Sequence, residues 1–315
     1  MCSGYEKAGL SMMSKKNKRI NYFKRYWQLY LLLVLPVTYL IIFSYWPMLG
    51  AQIAFRSYRF DMGIWGSPWV GFQHFRTFFN SHQFTRLMFN TMTLSLYSTF
   101  AGFLPPVILA LCINYCLRKH VGKTVQMVTF LPFFISNVLW MGMVTQFVST
   151  NGLLNSFLLN FGIGPIQFLN RPEYFMHIFV VSGIVQNTGH GAIVYIAALV
   201  GVSPEMHEAA IMDGASLWKR IWYIDIPSIL PTVVVLLILR TGSILSVGFE
   251  QVFLLQNPLN ISRSDVIATH VYQLGLINMQ FSYAAAIGLF QSVISLILVV
   301  IVNYVSQKVT NSSLF

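Results

Sequence analysis

Four polar residues stand close together in a stretch of chain that contains no Asp, Glu, Lys or Arg. They are Gln186, Asn187, Thr188 and His190. Polar side chains inside a membrane are candidates for function, because placing them there is costly. Gln186 and His190 are four residues apart and therefore share one face of a helix. We predict a polar wall that faces a solute path, and the alternative is hydrogen bonding between helices without solute contact.

A second group of candidates carries charge. Arg240, Ser243 and Glu250 follow one another at helical spacing along one broad face. A lone arginine in a membrane core is costly, so Arg240 should face a cavity, a subunit interface or a carboxylate. Glu250 lies about 15 Å further along a helix axis, which excludes a direct pair. We predict Arg240 as an interface or gate residue ahead of a solute ligand, and Glu250 as a structural, docking or solute contact. Tyr195 is an aromatic candidate for the same path.

The chain lacks the patterns of an enzyme. Residues 122–124, Gly-Lys-Thr, resemble the end of a nucleotide-binding P-loop, but the glycine that this motif requires five residues earlier is Leu117. The sequence contains no recognisable pair of catalytic carboxylates and no nucleophile triad. Its three cysteines suggest neither a disulfide framework nor a metal site. We therefore predict no catalytic residue, no metal and no cofactor in this chain.

Composition places these candidates in a membrane. Charged residues make up 9% of the chain and hydrophobic residues 56%, and the mean hydropathy is +0.63. Soluble domains carry about 25% charged residues. Four stretches without any charged side chain are longer than the about 20 residues that a helix needs to cross a bilayer. The predicted fold class is an all-α integral membrane protein.

Six transmembrane helices are predicted, at about residues 27–48, 88–116, 124–148, 175–199, 228–250 and 282–305. The uncharged stretch that starts at residue 124 is too long for one helix, and turn signals lie in its second half. Only the first half is expected to span, although residues 150–172 could form a re-entrant segment. The predicted parts are a basic tail at 1–26, a transmembrane domain at 27–306 and a second tail at 307–315.

The distribution of Lys and Arg predicts the orientation in the membrane. Thirteen of these residues lie in the two tails and in the loops after spans two and four, whereas six lie in the loops on the other side. Cytoplasmic loops carry the excess of Lys and Arg, so both termini and the loop at 200–227 should be cytoplasmic. The net charge of +11 is attributed to this bias and to contact with anionic lipid, not to nucleic acid.

The loop at residues 200–227 contains four of the nine acidic residues. Ser203 can cap a helix through its hydroxyl, and Pro204 suits the first helical position. Glu205 and Glu208 suit the positive end of the helix dipole. The helix should end where Gly214 can adopt a left-handed conformation.

A second short helix is predicted over residues 216–223, before Pro227 starts span five. A capped and charged helix in such a loop could be offered to a soluble partner. Alternatively, the loop could lie flat among the lipid headgroups, with Trp218 and Trp222 as anchors.

The loop resembles the "EAA" signature of permease subunits in ABC importers that depend on binding proteins. The similarity consists of Glu208-Ala209-Ala210, Asp213-Gly214-Ala215, Ile224-x-Ile226-Pro227 and Pro231, with Ile226 where the family usually has Leu. The resemblance implies the fold of a type I ABC importer permease, in which this loop is a coupling helix that docks in a cleft of an ATPase subunit. The coupling residues that it implies are Glu205, Glu208, Ala209, Ala210, Asp213, Gly214, Ala215 and Pro227.

Two other segments resemble a narrower group. Residues 65–71, Trp-Gly-Ser-Pro-Trp-Val-Gly, and residues 246–259 are similar to oligosaccharide and polysaccharide permeases of the LplB/YteP-like group in Gram-positive bacteria. This similarity implies sugar import across the plasma membrane, through a pore whose other half is a second, homologous permease. It also implies two ATPase subunits that hold ATP and Mg, and an extracellular solute-binding lipoprotein.

Two other functions stay open on the sequence alone. An ABC permease for an amino acid or a polyamine would contain a similar loop. An ion-coupled secondary transporter would work without partner subunits and usually contains inverted repeats. The sequence shows no convincing internal duplication of this kind.

Overall fold

The computed structural model describes residues 26–242, 245 and 248–310. The described residues are helical apart from connecting segments and two isolated β-bridges. Ser243, residues 1–25 of the predicted N-terminal tail and residues 311–315 lie outside the described residues. The main helices are α1 (Trp27–Phe55), α2 (His82–Asn114), α3 (Lys119–Phe134), α4 (Asn137–Leu159, with a turn at 149–152), α5 (Pro172–Val200), α6 (Pro204–Met212), α7 (Leu217–Arg240), α8 (Phe249–Leu255), α9 (Ile267–Ile277) and α10 (Phe281–Thr310). Shorter helices lie at Gly63–Gly66, Gln73–Phe79 and Ile261–Ser264.

Five of these helices are long and apolar enough to cross a membrane, namely α1, α2, α5, α7 and α10. The pair α3 and α4 gives a sixth span when it is counted as one. The predicted number of six spans is therefore reached only when the bent pair α3 and α4 is counted as one span. Predicted spans one, two, four and six correspond to α1, α2, α5 and α10.

The prediction that residues 124–148 form one continuous span is wrong. α3 and α4 meet at an angle of 103° across a break at residues 135–136. The last turn of α3 tightens into a 3-10 helix that contains Pro132, which has no N–H to continue the α-helical pattern. The hydroxyl of Ser136 then accepts a hydrogen bond from the backbone N–H of Leu139, at 3.4 Å, and so caps α4.

The predicted fifth span at 228–250 is wrong at both ends. α7 already begins at Leu217 and absorbs the separate helix predicted over 216–223. A π-helical turn at Ile221–Asp225, which is wider than an α-helical turn, precedes Pro227. Pro227 has no backbone N–H to donate, and a turn of this kind lets the helix continue past the missing hydrogen bond. Glu250 belongs to α8, which packs against α4. Arg240 and Glu250 therefore do not share a helix face.

α5 is the central helix of the fold. It packs along most of α2 and also contacts α3 and α7. Close approach to α3 depends on Gly189, since a Cβ at that position would lie 2.1 Å from the backbone oxygen of Thr129. Two apolar clusters surround α5, one around Phe175 and Phe179 and the other around Tyr195 and Leu199. These contacts fix the walls of the cavity described next.

Candidate functional site

A cavity of about 430 Å³ lies between α2, α5 and α7. Sites for small ligands typically have volumes of about 300–1,000 Å³. Four of the predicted path residues lie on its wall: Asn187, His190, Tyr195 and Arg240. Thr188 and Gln251 contribute further polar groups to the same wall. The cavity can therefore surround a solute with amide, hydroxyl, imidazole and guanidinium groups.

Aromatic stacking positions the imidazole of His190. The ring lies flat on that of Phe133, with the centroids 3.9 Å apart and the planes 6° from parallel. Phe133 lies in the last turn of α3, directly before the break between α3 and α4. The break therefore places an aromatic ring against the cavity wall, which periodicity in the sequence could not reveal.

Gln186 does not line the cavity and instead joins helices, which is the alternative role that the sequence left open. Its amide nitrogen donates to the side-chain oxygen of Asn137 at 3.2 Å, and its oxygen accepts from the amide of Gln251 at 3.0 Å. The amide of Asn137 donates to a carboxylate oxygen of Glu250 at 2.8 Å. Glu250 is thus a structural contact, and the four side chains tie α4, α5 and α8 together.

Replacing Asn137 with leucine is expected to lower the free energy of unfolding by about 1–3 kcal/mol, because it removes the acceptor that the amides of Gln186 and Gln251 share and the donor to the carboxylate of Glu250. The thermal unfolding midpoint of the purified complex measures this effect. Asn187→Leu is the matched control, since the amide of Asn187 bonds only to its own helix, at the backbone oxygen of Gly183, in the contacts described. Equal midpoints for the two variants would contradict the structural role of the network.

The helix α6 has the bounds that its sequence signals predict. Pro204 occupies its first turn, as expected. The hydroxyl of Ser203 makes no capping hydrogen bond, so that prediction was wrong. Gly214 has φ of +72°, its N–H donates to the oxygen of Ile211 at 3.0 Å, and the N–H of Ala215 donates to that of Ala210 at 2.9 Å. This pattern is a Schellman motif, and it ends the helix at the predicted glycine.

One face of α6 is exposed and combines acidic with apolar side chains. Glu205, Glu208 and Asp213 are exposed. Met206, Ile211 and Met212 are also exposed, by 51%, 53% and 87%. Of the other predicted coupling residues, Ala209, Gly214 and Pro227 are exposed, and Ala210 and Ala215 are half-buried. The exposed residues of α6 form a mixed surface of the kind that protein interfaces use.

A buried carboxylate connects α6 to the transmembrane helices, and sequence reasoning missed it. Asp225 of α7 is fully buried. The hydroxyl of Tyr115, at the end of α2, donates to its Oδ2 at 2.5 Å. The Nε2 atom of His207 in α6 lies 3.3 Å from its Oδ1. The guanidinium of Arg220 lies over the ring of Tyr115, 5.6 Å from its centroid. We call these four residues the Asp225 cluster.

The electrostatics of the Asp225 cluster keep Tyr115 in its donor form. Burial, and then the hydrogen bond and the charge of Asp225, raise the pKa of Tyr115 to about 12. The contact between His207 and Asp225 has ion-pair distance but not hydrogen-bond geometry. Three buried atoms, Asp225 Oδ1, His207 Nδ1 and Arg220 Nε, lack a hydrogen-bond partner among the described residues. A small movement of α6 would therefore change the bonding of a buried charge.

A helical domain with spans of membrane length, a polar cavity between them and a short exposed helix in a connecting loop has the architecture of a permease. The chain belongs to the family described as binding-protein-dependent transport system inner membrane component, whose model matches residues 104–311. The match includes α6, the cavity helices α5 and α7, and all four residues of the Asp225 cluster.

Relatives and solved structures agree with this family. The chain is 40% identical over 288 residues to Protein LplB of Bacillus subtilis (strain 168), covering 91% of each chain. It is 37% identical over 281 residues to the polygalacturonan/rhamnogalacturonan transport system permease protein YteP of the same strain, covering 89% of this chain and 88% of YteP. A chain of a bacterial ABC transporter involved in the import of the acidic polysaccharide alginate superimposes with a TM-score of 0.87 at 40% identity, covering 93% of this chain and 99% of that chain. The predicted all-α ABC importer permease fold is confirmed.

Proposed function

We propose that this chain is the permease subunit of an ATP-driven importer of oligosaccharides or polysaccharide fragments, and that it forms half of the translocation pore. The observation that carries the proposal is the match over 93% of this chain to a chain of a bacterial ABC transporter involved in alginate import. The name of YteP also refers to a polysaccharide. These relatives favour a saccharide over an amino acid or a polyamine, and the family's dependence on binding proteins disfavours an ion-coupled secondary transporter.

The partners in this proposal are a second, homologous permease, two ATPase subunits that bind ATP and Mg, and an extracellular solute-binding lipoprotein. A solved alginate transporter in complex with a pentasaccharide-bound periplasmic protein supports the last of these. The exposed face of α6 supplies a surface for an ATPase subunit. The chain would lie in the plasma membrane of a Gram-positive bacterium, with both termini in the cytosol, as the Lys and Arg bias suggests.

The proposed mechanism passes force from α6 to the cavity. Closure of the ATPase subunits on ATP would push α6 and, through His207, the buried carboxylate of Asp225. Asp225 lies on α7 and is bonded to Tyr115 at the end of α2, and both helices form walls of the cavity. Their rotation would open the cavity toward the loaded binding protein, a rigid-body transition of a known type.

The coupling role predicts a specific loss in two variants of α6. Glu208→Ala removes an exposed carboxylate, and Gly214→Val places a β-branched residue at φ of +72°, which such residues avoid. Each is expected to reduce import by at least about tenfold, equivalent to about 1.4 kcal/mol of coupling. Uptake and ATP hydrolysis by the reconstituted complex measure this loss.

Glu173→Ala is the matched control, because Glu173 is an exposed glutamate in the first turn of α5, at the opposite end of the membrane domain. It should transport like the wild type. Unchanged import in both α6 variants would remove the coupling role from this helix.

A further inference from the structure

Exposed basic side chains surround the end of the fold where α2 turns into α3 and α7 begins. They are Arg118, Lys119, Lys123 and Lys219, and we call these four residues the basic collar. None of them takes part in an ion pair within the described residues. The sequence contains no acidic residue at 115–124 or at 217–224. This concentration of unpaired positive charge attracts an anionic partner.

The turn between α2 and α3 lies beside the start of α7. The guanidinium of Arg220 in α7 lies over the ring of Tyr115, which follows the last residue of α2, 5.6 Å from the ring centroid. The turn is tight, because the thiol of Cys116 donates to the backbone oxygen of Arg118 at 3.4 Å. The two parts of the basic collar therefore belong to the same end of the membrane domain.

The face of α3 that leads away from the basic collar is apolar. Val121, Val125 and Val128 follow one another at helical spacing and are exposed by 47%, 39% and 58%. Lys119 and Lys123 stand at the end of this apolar face. A lysine in such a place keeps its methylene stem on apolar surface and extends its ammonium group to the lipid headgroups. The two lysines therefore lie at the level of the headgroups.

The start of α7 presents the same combination of side chains. Trp218, Trp222 and Tyr223 are exposed by 70%, 62% and 79%, whereas Ile224 is buried. Lys219 is exposed beside them. Tryptophan and tyrosine collect at the boundary between the hydrocarbon and the headgroups, and lysine at this level attracts anionic lipid. This side of α7 thus faces the membrane surface.

We propose that the basic collar binds the headgroup of an anionic phospholipid, and that this lipid anchors the start of α7. The ammonium and guanidinium groups donate charge-assisted hydrogen bonds to the phosphate. The two roles that the sequence left open for the loop at 200–227 then belong to different parts of it: α6 is presented to a protein, and the start of α7 is held by lipid. The inference rests on the proposed function only for the cytoplasmic orientation of this end.

The test compares two phospholipids that share their acyl chains and differ in charge, palmitoyl-oleoyl phosphatidylglycerol and palmitoyl-oleoyl phosphatidylcholine. The complete transporter, purified in detergent, is titrated with each lipid and measured by native mass spectrometry. The spectra give an apparent dissociation constant for each lipid and show whether both ATPase subunits stay bound.

Three variants separate charge from apolar anchoring. Lys119→Gln/Lys123→Gln removes two charges at the start of α3, Lys219→Gln removes one at the start of α7, and Trp218→Ala removes an anchor without changing the charge. The matched control is Arg76→Gln/Arg171→Gln, which also removes two exposed charges. These two arginines lie before the starts of α2 and α5, at the opposite end of both helices.

The wild type should bind phosphatidylglycerol on the order of tenfold more tightly than phosphatidylcholine. Each lysine near a membrane surface contributes roughly fivefold to the affinity for anionic lipid. Lys219→Gln should therefore weaken binding of phosphatidylglycerol about fivefold, and Lys119→Gln/Lys123→Gln by about five- to twenty-five-fold, with little effect on phosphatidylcholine. Trp218→Ala should weaken binding of both lipids by a similar factor. The control should keep the preference of the wild type.

Equal affinities of the wild type for the two lipids would overturn the inference, as would an equal loss in the control, which would reduce the effect to net charge. Lys119→Gln/Lys123→Gln that binds phosphatidylglycerol normally but loses its ATPase subunits would assign the basic collar to that subunit contact and would also overturn it. Selective binding of phosphatidylglycerol by a transporter that imports no saccharide would support the inference and contradict the proposed function.

Discussion

Replacing Asp225 with alanine is expected to lower the free energy of unfolding by about 3 kcal/mol, because removing one partner of a buried charged cluster leaves the others unpaired. The hydroxyl of Tyr115 would lose its acceptor at 2.5 Å, and His207 would lose the carboxylate 3.3 Å away. The same variant is expected to hydrolyse ATP without importing solute, since α6 would no longer be tied to α2 and α7.

Thermal unfolding of the purified complex and the ratio of import to ATP hydrolysis measure the two effects. The control is Asp61→Ala, an aspartate whose ion pair with Arg59 at 3.0 Å is exposed on both sides. An exposed pair contributes about 0–1 kcal/mol, so this variant should behave like the wild type. Matching unfolding midpoints for Asp225→Ala and Asp61→Ala would contradict the structural role of the Asp225 cluster.

The titration of Tyr115 gives an independent readout of the same contact. The pKa of Tyr115 is raised from 10.0 to about 12, so the protonated form is favoured in the folded state. The stabilisation is complete below about pH 10 and is lost as the pH rises through about 12. Without Asp225 the pKa of Tyr115 should fall by the part that the hydrogen bond and the charge contribute, while the larger effect of burial remains; ultraviolet difference spectra against Tyr115→Phe can follow this fall.

The helix α6 could be predicted from sequence because its signals are local. Pro204 marks its start. Gly214 marks its end, because glycine adopts the left-handed backbone conformation found there without strain. Four of the six predicted spans, which correspond to α1, α2, α5 and α10, were equally accessible, since a span needs only length and composition. Each of these features depends on residues within one turn or one helix.

The features that sequence missed depend on contacts between distant residues. Tyr115 and Asp225 are 110 positions apart, and no periodic pattern links them. The bend between α3 and α4 is different, because local residues mark it: Pro132 and Ser136 lie there, but the uncharged run around them reads as one span. The polar residue Gln186 looked like part of a solute path, but it bonds to Asn137, which is 49 positions away. Pairings of this kind follow from the fold and not from local spacing.

The same limit applies to glycines, because the importance of a glycine depends on which atoms of a neighbouring helix lie where its side chain would be. Gly183 and Gly189 stand six residues apart in α5, and nothing in the sequence ranks one above the other. In the structure, a Cβ on Gly183 would have no neighbour within 4 Å in the described part of the chain. A Cβ on Gly189 would meet three backbone atoms of α3, the oxygen and carbon of Thr129 at 2.1 and 2.3 Å and the nitrogen of Phe130 at 2.6 Å.

Gly189→Ala is therefore expected to prevent the native packing of α3 on α5, with a loss of more than about 3 kcal/mol, above the usual 1–3 kcal/mol of overpacking. The obstructing atoms belong to the backbone, so no side-chain rotation can relieve the contact, and α3 must move as a body. That movement would also separate Phe133 from His190, whose rings lie 3.9 Å apart on the cavity wall.

Gly183→Ala is the matched control, because both substitutions add one methyl group to the same helix and gain about 1 kcal/mol of helix propensity. Gly183→Ala should assemble and unfold like the wild type or at a slightly higher temperature, whereas Gly189→Ala should give little assembled complex by size-exclusion chromatography. If Gly189→Ala assembles with a normal unfolding midpoint, α3 and α5 do not approach as closely as described, and the His190 side of the cavity must be wider. The pair of variants thus tests the helix contact on which the cavity depends, separately from any assumption about the solute.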